Sequence, residues 1–190
     1  MRLVLATRNA HKAREFGALL APHEVVPLPD DVELPPETGE TFLDNALGKA
    51  RAAAAATGLL TIADDSGIEA EALDGRPGVY SARFAGPDAT DEENLAKLMR
   101  EAPPGSGLAY VCALVLVDPA TGDEERFEGR CTGRMAAAPR GSNGFGYDPC
   151  FLPDEVPGRT MAELEPAEKD AISHRGRAAA ALLAHLERHR

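Results

Sequence analysis

The sequence predicts an α/β fold with a mixed β-sheet, and three observations lead to that prediction. Short apolar runs of strand length alternate with segments whose apolar residues recur at helical spacing. The segment 108–135 has the pattern of two long strands around a turn at Pro119–Gly122, which predicts an antiparallel hairpin. No internal repeat or low-complexity linker marks a boundary, so we expect residues 1–190 to form a single domain.

The N-terminal third predicts two strands and two helices. RLVLAT at 2–7 has the pattern of a short buried strand, and the segment 9–21 that follows has helical spacing. EVVPL at 24–28 predicts a second strand, and the proline-rich acidic segment 29–40 predicts a loop. From Thr41 to Thr57 an apolar stripe runs along an alanine-rich helix, and Gly58 is well placed to end it.

The middle and the C-terminal part predict further strands and helices. LLTIADD at 59–65 predicts a strand that ends at a Ser-Gly turn, and GIEAEAL at 67–73 alternates as a half-exposed strand does. Thr90 and Glu93 form a capping-box pattern that opens a helix. The segment 141–155 predicts a loop, and the tail from Thr160 on predicts helices, the last of them amphipathic.

Composition and charge exclude several classes of protein. A formal net charge of −11 argues against a general nucleic-acid binder, because phosphate backbones require a basic surface. No apolar run approaches the roughly 20 residues that span a bilayer, and the N-terminus lacks the apolar core of a signal peptide. Three cysteines without a CxxC pair indicate neither a disulfide framework nor a zinc site. We therefore expect a cytoplasmic protein with no nucleic-acid and no membrane partner.

Two adjacent acids, Asp64 and Asp65, close the predicted strand at 59–65. Successive side chains of a strand point to opposite faces, so one acid can act as metal ligand or general base while the other braces a neighbouring element. Mg²⁺ typically uses one or two carboxylates plus substrate phosphates, and Glu37 with one of these aspartates would suffice. The alternative is an Asx turn at the strand end, with Glu37 as a solvated loop acid.

The segment Thr7–Lys12 predicts a site for an anion. A strand delivers Thr7 and a helix begins near Asn9 or Ala10, so free backbone N–H groups and the charge of Lys12 favour a bound anion. The spacing differs from that of the GxxxxGK[ST] phosphate loop. An Asn cap followed by two surface bases therefore remains an open alternative.

GFGYDP at 144–149 combines groups that can surround a nucleobase. The faces of Phe145 and Tyr147 can stack on a base, the glycines allow close approach of the backbone, and Asp148 can accept a hydrogen bond from a ring N–H. A turn with a small aromatic core cluster is the alternative interpretation.

EKDAISHRGRA at 168–178 brings together three cationic side chains, those of Lys169, His174 and Arg175. They can donate hydrogen bonds to a phosphate or to a carbonyl of a base. The alternative is an ordinary solvated basic face of a helix. Neither this segment nor the preceding one decides the function by itself.

Five blocks, taken together and in this order, resemble the signature of the inosine triphosphate pyrophosphatase family, the XTP/dITP pyrophosphatases. The blocks are TRNAHK, ETGETFLDNALGKA, ADDSGIEAEALDGRPGVYSAR, GFGYDPCF and EKDAISHRGRA, and the resemblance extends from residue 3 to about 184. It implies an elongated mixed sheet with two lobes, a nucleotide cleft between them, and a homodimer. It also implies Mg²⁺-dependent hydrolysis of dITP, ITP and XTP to the monophosphate and pyrophosphate, which cleanses the nucleotide pool.

The resemblance implies a role for each matching residue. Asp65 is implied to be the general base and, with Glu37, a metal ligand, while Asp64 supports from the other face and Ser66 contacts substrate. The residues implied to hold the phosphates are Thr7, Arg8, Asn9, Ala10, His11 and Lys12, with Lys49 and Arg83 as further candidates. Those implied to surround and recognise the base are Phe145, Gly146, Tyr147, Asp148, Lys169, His174 and Arg175.

Two positions depart from the pattern that is common in the family. Arg8 stands where glycine is frequent, and Pro36 stands where many relatives carry an acid before Glu37. The alternatives are a Maf-type pyrophosphatase of different base preference and a nucleotide-binding regulator without turnover. The FGYD and SHR segments weigh against the first alternative, and the set of carboxylates weighs against the second.

Overall fold

The protein has the predicted α/β fold in a computed structural model that describes residues 1–189. Its strands are β1 (Arg2–Leu5), β2 (Glu24–Pro27), β3 (Thr61–Ala70), β4 (Gly107–Val117), β5 (Glu124–Met135) and β6 (Phe151–Pro153). They form a six-stranded sheet of order β2-β1-β3-β4-β5-β6. Because β1 pairs in parallel with β2 and β3 while β5 and β6 pair antiparallel, the sheet is mixed.

Helices form in the segments in which the sequence predicts them. They are α1 (Ala10–Leu19), α2 (Phe42–Thr57), α3 (Asp91–Glu101), α4 (Pro166–Ile172) and α5 (His174–Arg188). Thr41 and Thr90 cap α2 and α3 in capping boxes, and Gly58 ends α2 in the left-handed conformation at φ 66°. None of the described helices is both long and apolar enough to cross a membrane.

The chain divides into two compact units, and the first comprises residues 1–65, 112–129 and the segment from 175 on. Neighbouring residues of β1 pack into two different apolar clusters, because successive strand side chains point to opposite faces. Leu3 and Leu5 pack with residues of α1 and α5, such as Phe16 and Leu182. Val4 and Ala6 pack instead with the alanines of α2. The strands of this unit therefore lie between α1 and α5 on one face and α2 on the other.

The second unit comprises residues 66–111 and 130–174 and has one apolar cluster. Large side chains of that cluster include Leu98, Tyr110, Tyr147, Phe151 and Met161. The three cysteines of the chain all lie among the described residues, are buried and form no disulfide, as the sequence predicts.

The structure corrects three expectations about local structure. The predicted turn at Ser66–Gly67 is absent from the described backbone, and β3 continues as one strand from Thr61 to Ala70, so Asp64 and Asp65 lie in mid-strand. Glycine permits a turn but does not require one, and here its backbone is extended. Glu71–Leu73 forms a short 3₁₀ turn where a strand is predicted, and the predicted loop 141–155 contains β6.

Candidate active site

The alternation of β3 side chains directs the two adjacent acids to opposite faces of the first unit. Ile62 packs in the cluster of α1 and α5, and Ala63 packs in the cluster of α2. Two residues further along, Asp64 faces α1 and α5 while Asp65 faces α2. The sequence-based expectation that the two acids point to opposite faces is therefore confirmed, and their separate roles stay a prediction.

Asp64 is fully buried and is surrounded by cations. Its Oδ2 lies 2.9 Å from Lys12 Nζ and 3.5 Å from Arg175 Nε, and Arg175 also donates to Glu15 at 2.9 Å. Burial alone would raise the pKa of Asp64, but the charges of Lys12, Arg175 and Lys49 outweigh it and hold that pKa below its ordinary value. Asp64 therefore stays ionised and fixes Lys12 and Arg175 in place.

Asp65 has a different environment on the opposite face. Asn45 of α2 donates a hydrogen bond from Nδ2 to Asp65 Oδ2 at 2.9 Å. Burial raises the pKa of Asp65 above its ordinary value, and the negative charge of Glu37 adds to that effect against the opposing charges of Lys49 and Lys12. A carboxylate with a raised pKa is a stronger base than an ordinary aspartate, as general base catalysis near neutral pH requires.

Glu37 and Asp65 are the carboxylates that the sequence predicts as ligands of a hard cation. Lys49 Nζ contacts Glu37 Oε1 at 2.6 Å and the main-chain oxygen of Asp64 at 2.7 Å. Burial lowers the pKa of Lys49, but the charges of Asp64, Asp65 and Glu37 outweigh it and raise that pKa. Among residues 1–189, no group of three or more His, Cys, Asp or Glu side chains is arranged to hold a metal. Two carboxylates nevertheless suffice for Mg²⁺ when substrate phosphates supply further oxygen ligands.

The start of α1 has the geometry of a capped helix. The Asn9 side chain accepts hydrogen bonds from the N–H groups of His11 and Lys12 at 2.9 and 3.2 Å. Two of the amides that the sequence assigns to an anion are therefore already hydrogen-bonded in this structure. Thr7 Oγ1 accepts from the N–H of Asn9 at 3.1 Å, which connects the strand to the cap. Lys12 projects from the first turn toward Asp64, so it is the cation that this segment brings to the acids.

Arg8 lies against the loop that follows β2. Its guanidinium donates to the carbonyls of Leu28 at 3.0 Å, Pro29 at 2.7 Å and Val32 at 2.8 Å. These contacts stabilise the loop, so the geometry gives Arg8 a structural role, and its predicted phosphate contact stays a prediction. Ser66 lies half-buried in β3 directly after Asp65.

The second unit brings together most of the residues predicted to recognise the base. Both oxygens of the buried Asp148 carboxylate accept hydrogen bonds: Oδ1 from the Tyr110 hydroxyl at 2.9 Å, and Oδ2 from Lys169 Nζ at 2.7 Å and the Phe145 N–H at 3.0 Å. Asp148 thus fixes the loop around Phe145. The expected hydrogen bond from Asp148 to a base ring stays a prediction.

The two aromatic residues of this loop differ in their surroundings. Tyr147 is buried in the apolar cluster and donates its hydroxyl hydrogen to the Ser81 carbonyl at 2.6 Å. Phe145 is half-buried, and Lys169 Nζ lies 5.1 Å from the centre of its ring. The Gly146 N–H donates to Asp91 at 3.1 Å. Phe145 is therefore the better placed of the two rings for stacking on a base.

The cationic residues of 169–175 lie in different surroundings. The His174 ring stacks on Tyr110, with ring centres 4.6 Å apart, and lies with Lys169 in the second unit. Arg175 belongs to the first unit and contacts Asp64 and Glu15. The predicted role of Arg175 in reading the base therefore gains no support from these contacts and stays a prediction.

Sequence reasoning missed Asn45 and Tyr110 as members of the site. Asn45 and Lys49 are polar, four residues apart and on the buried side of α2, a signal that the sequence does contain. Tyr110 is an aromatic residue with a hydroxyl inside the apolar run 108–117. Glu15, the partner of Arg175, gives no sequence signal, because one acid on an amphipathic helix is usually solvated.

Comparisons with known proteins match nearly the whole chain to one family. Residues 3–185 match the Ham1 family. The dITP/XTP pyrophosphatase of Corynebacterium diphtheriae is 50% identical over 195 residues, which cover 94% of this chain and 93% of that protein. The protein of the same name from Geobacter sulfurreducens is 48% identical, with coverage of 97% and 96%.

Solved structures give the same result for the fold. A HAM1 protein from Coxiella burnetii has a TM-score of 0.87 and 40% identity, and 99% of each chain is covered. The nucleoside-triphosphatase / dITP/XTP pyrophosphatase of Mycobacterium abscessus has a TM-score of 0.74 and 48% identity, with coverage of 96% and 99%. The similarity therefore extends over nearly the full length of the chain.

Proposed function

The chain belongs to the Ham1 family, and we propose that it hydrolyses non-canonical purine nucleoside triphosphates, namely dITP, ITP and XTP, to the monophosphate and pyrophosphate. The names of relatives that are 50% and 48% identical over nearly the whole chain support this substrate class. The observation on this chain that carries the proposal is the buried Asp65 carboxylate, which has a raised pKa and lies near the charges of Glu37, Lys49 and Lys12.

Asp65 acts as the general base in this proposal. It takes a proton from the attacking water as the water oxygen forms a bond to the α phosphorus, the phosphoanhydride bond between the α and β phosphates breaks, and pyrophosphate leaves with the electron pair of that bond. Lys12 and Lys49 bring positive charge close to Asp65. This charge favours binding of a polyanionic substrate despite the acidic net charge of the chain. Asp64 acts through Lys12, which it holds by an ion pair of 2.9 Å.

Mg²⁺ is the cation that we propose for this site, with Glu37 and Asp65 as its protein ligands. The two carboxylates lie close enough for the charge of Glu37 to raise the pKa of Asp65, which is the repulsion that a divalent cation would relieve. When bound, such a cation neutralises phosphate charge and lowers the pKa of coordinated water.

Recognition of the base is assigned to the second unit. Phe145 offers a ring face, and the buried His174 is held by stacking on Tyr110. Hypoxanthine and xanthine carry a carbonyl at position 6, which accepts from a donor such as His174, whereas adenine presents an amine there. A donor of the protein and the amine of adenine would face each other without an acceptor between them. Such a mismatch can lower kcat/KM for adenine nucleotides by about 10³-fold or more.

A substrate panel tests the proposed function directly. We expect Mg²⁺-dependent release of pyrophosphate from dITP and XTP, with kcat/KM for dGTP, dATP and dTTP lower by about 10²-fold or more. EDTA should abolish turnover if the proposed cation is required. Fast turnover of dTTP with idle dITP would favour a Maf-type pyrophosphatase, and no turnover of any nucleotide would favour a regulator that only binds.

Substitution of Gly144 by Ala should weaken recognition of the base. Gly144 has φ +69°, and a Cβ at this position would collide with the Asp148 carboxylate and crowd Lys169 Nζ at 3.3 Å. Because Asp148 holds the backbone of Phe145, we expect kcat/KM for dITP to fall by about 10- to 100-fold, mainly through KM. Steady-state kinetics with dITP measures this change.

Gly158→Ala is the matched control for this substitution. Gly158 also has a positive φ, +85°, but nothing lies within 4 Å of a Cβ placed there. The control should therefore show the cost of backbone strain alone, about 1 kcal/mol, with kinetics close to wild type. An unchanged KM in Gly144→Ala would contradict the role given to the Asp148 contacts.

The cytoplasmic location and the homodimer are part of the same proposal and rest on the resemblance to the family. Light scattering during size-exclusion chromatography tests the dimer, and a monomer at micromolar concentration would contradict it.

A further inference from the structure

We propose that Asn45 is a positioning residue for this reaction, which orients the Asp65 carboxylate toward the attacking water. The inference rests on the proposed function, because it assigns a supporting role at the same site. Asn45 contacts the proposed general base, Asp65, and the mechanism proposed above gives Asn45 no role.

The two hydrogen bonds of Asn45 define the orientation of its amide. Nδ2 donates to Asp65 Oδ2 at 2.9 Å, and Oδ1 accepts from the Gly39 N–H at 2.8 Å. A flipped amide would oppose donor to donor at Gly39 and acceptor to acceptor at Asp65, so only one orientation satisfies both neighbours. Asn45 is 5% exposed, which keeps water from competing for these bonds.

The absence of a side chain at Gly39 allows its backbone to approach this amide. A Cβ on residue 39 would lie 2.6 Å from Asp44 Cβ and 2.7 Å from Asn45 Oδ1, closer than a side chain tolerates. Only glycine therefore allows the N–H of residue 39 to reach Asn45. The capping box of Thr41 and Asp44 fixes the first turn of α2, in which Asn45 lies.

Asp65 requires such a restraint because several charges compete for its carboxylate. Lys49 and Lys12 attract it and Glu37 repels it. The terminal torsion of an aspartate is soft, so these charges alone do not define one orientation. A displacement of about 1 Å at a catalytic group can cost about 10²-fold in rate. The hydrogen bond from Asn45 is directional and supplies the missing restraint.

Kinetics of Asn45→Ala test the inference. The variant loses the donor to Asp65, so kcat for dITP should fall by about 10²-fold, while KM changes by less than about threefold. A kcat within about threefold of the wild-type value would show that Asp65 needs no restraint from Asn45, and the inference would be wrong.

Asn94→Ala provides a matched control in the other unit. Asn94 is 2% exposed and, like Asn45, lies four residues after the threonine that caps its helix. Its amide accepts from the Ala85 N–H at 2.7 Å and donates to the Ala82 carbonyl at 3.1 Å. The melting temperature should fall in this control as in Asn45→Ala, but kcat should stay close to wild type. If Asn45→Ala and Asn94→Ala lost kcat equally, the loss in Asn45→Ala would be explained by lower stability alone, and the inference would be wrong.

A crystal structure of Asn45→Ala gives a readout that does not depend on turnover. We expect the Asp65 carboxylate to rotate from its wild-type orientation while α2 and β3 stay in place. An unchanged Asp65 would overturn the inference even if the wild type hydrolyses dITP. An inactive wild type would instead contradict the proposed function, and the orientation of Asp65 in the variant would still decide the role of Asn45.

Discussion

Asp65→Asn is expected to lower kcat for dITP by about 10³- to 10⁴-fold, because it removes the group that accepts the proton of the attacking water. The amide oxygen of the new side chain can still accept from Asn45, so the local geometry is retained. Single-turnover and steady-state pyrophosphate release measure the loss. Turnover within about tenfold of wild type would show that another group is the base.

The same substitution should leave the fold as stable as wild type or more stable at neutral pH. Burial raises the pKa of Asp65, so the folded protein binds this proton more tightly than the unfolded chain does. Ionisation of Asp65 therefore opposes folding as the pH rises through the raised pKa, and a neutral amide removes that cost. Urea unfolding at pH 7 tests this sign.

Asp118→Asn is the control for the loss of one acidic charge. Asp118 lies in the turn between β4 and β5, where its Oδ1 accepts from the Ala120 N–H at 2.8 Å. We expect kcat to stay at the wild-type value in this control. A clear loss of stability in Asp65→Asn would contradict the view that the Asp65 carboxylate is kept for chemistry at the expense of stability.

Local sequence signals predicted where several helices begin or end, because those signals act over a few residues. The capping boxes at Thr41 and Thr90 and the stop at Gly58 are confirmed. The continuation of β3 through Ser66–Gly67 could not be read locally, since β3 lies beside β4, a strand that is distant in the sequence. The five blocks identified the family, and the comparisons confirm it.

Roles that depend on contacts between distant segments were less accessible. The sequence places Arg8 in the block beside Lys12, but the two side chains leave in different directions, one to the loop after β2 and one to Asp64. It groups His174 with Arg175 as neighbours, although they contact different partners. The alternation along β3, in contrast, was predictable from the period of a strand, and it places Asp64 and Asp65 in different surroundings.

Asp64→Asn should have the opposite consequence for stability from the substitution at its neighbour. Arg175 is 4% exposed and forms ion pairs with Asp64 and Glu15. When the charge of Asp64 is removed, Glu15 alone compensates the buried positive charge of Arg175. Removing one partner of a buried ion pair typically costs about 3–5 kcal/mol, and we expect a loss of this size in the free energy of unfolding at pH 7. Urea unfolding measures it.

Glu124→Gln controls for the loss of an ion pair at the surface. Glu124 contacts Arg51 at 2.5 Å, but the Arg51 side chain is 56% exposed, so water replaces the lost contact. A small effect in this control and a large one in Asp64→Asn would assign the stability to the buried position. Similar effects in both variants would contradict the role given to Asp64.

The pH dependence of the free energy of unfolding distinguishes the contribution of the Asp64 charge from the contribution of its packing. The surrounding cations hold the pKa of Asp64 below its ordinary value, so the unfolded chain takes up this proton at higher pH than the folded protein does. The stabilisation by the charge is therefore complete above the ordinary carboxyl pKa of about 3.9 and is lost as the pH falls through the lower folded value. The difference between wild type and Asp64→Asn should be constant from pH 7 to pH 5 and should shrink below about pH 4. A difference that persists unchanged at acid pH would show that packing, and not the charge, is what Asp64 contributes.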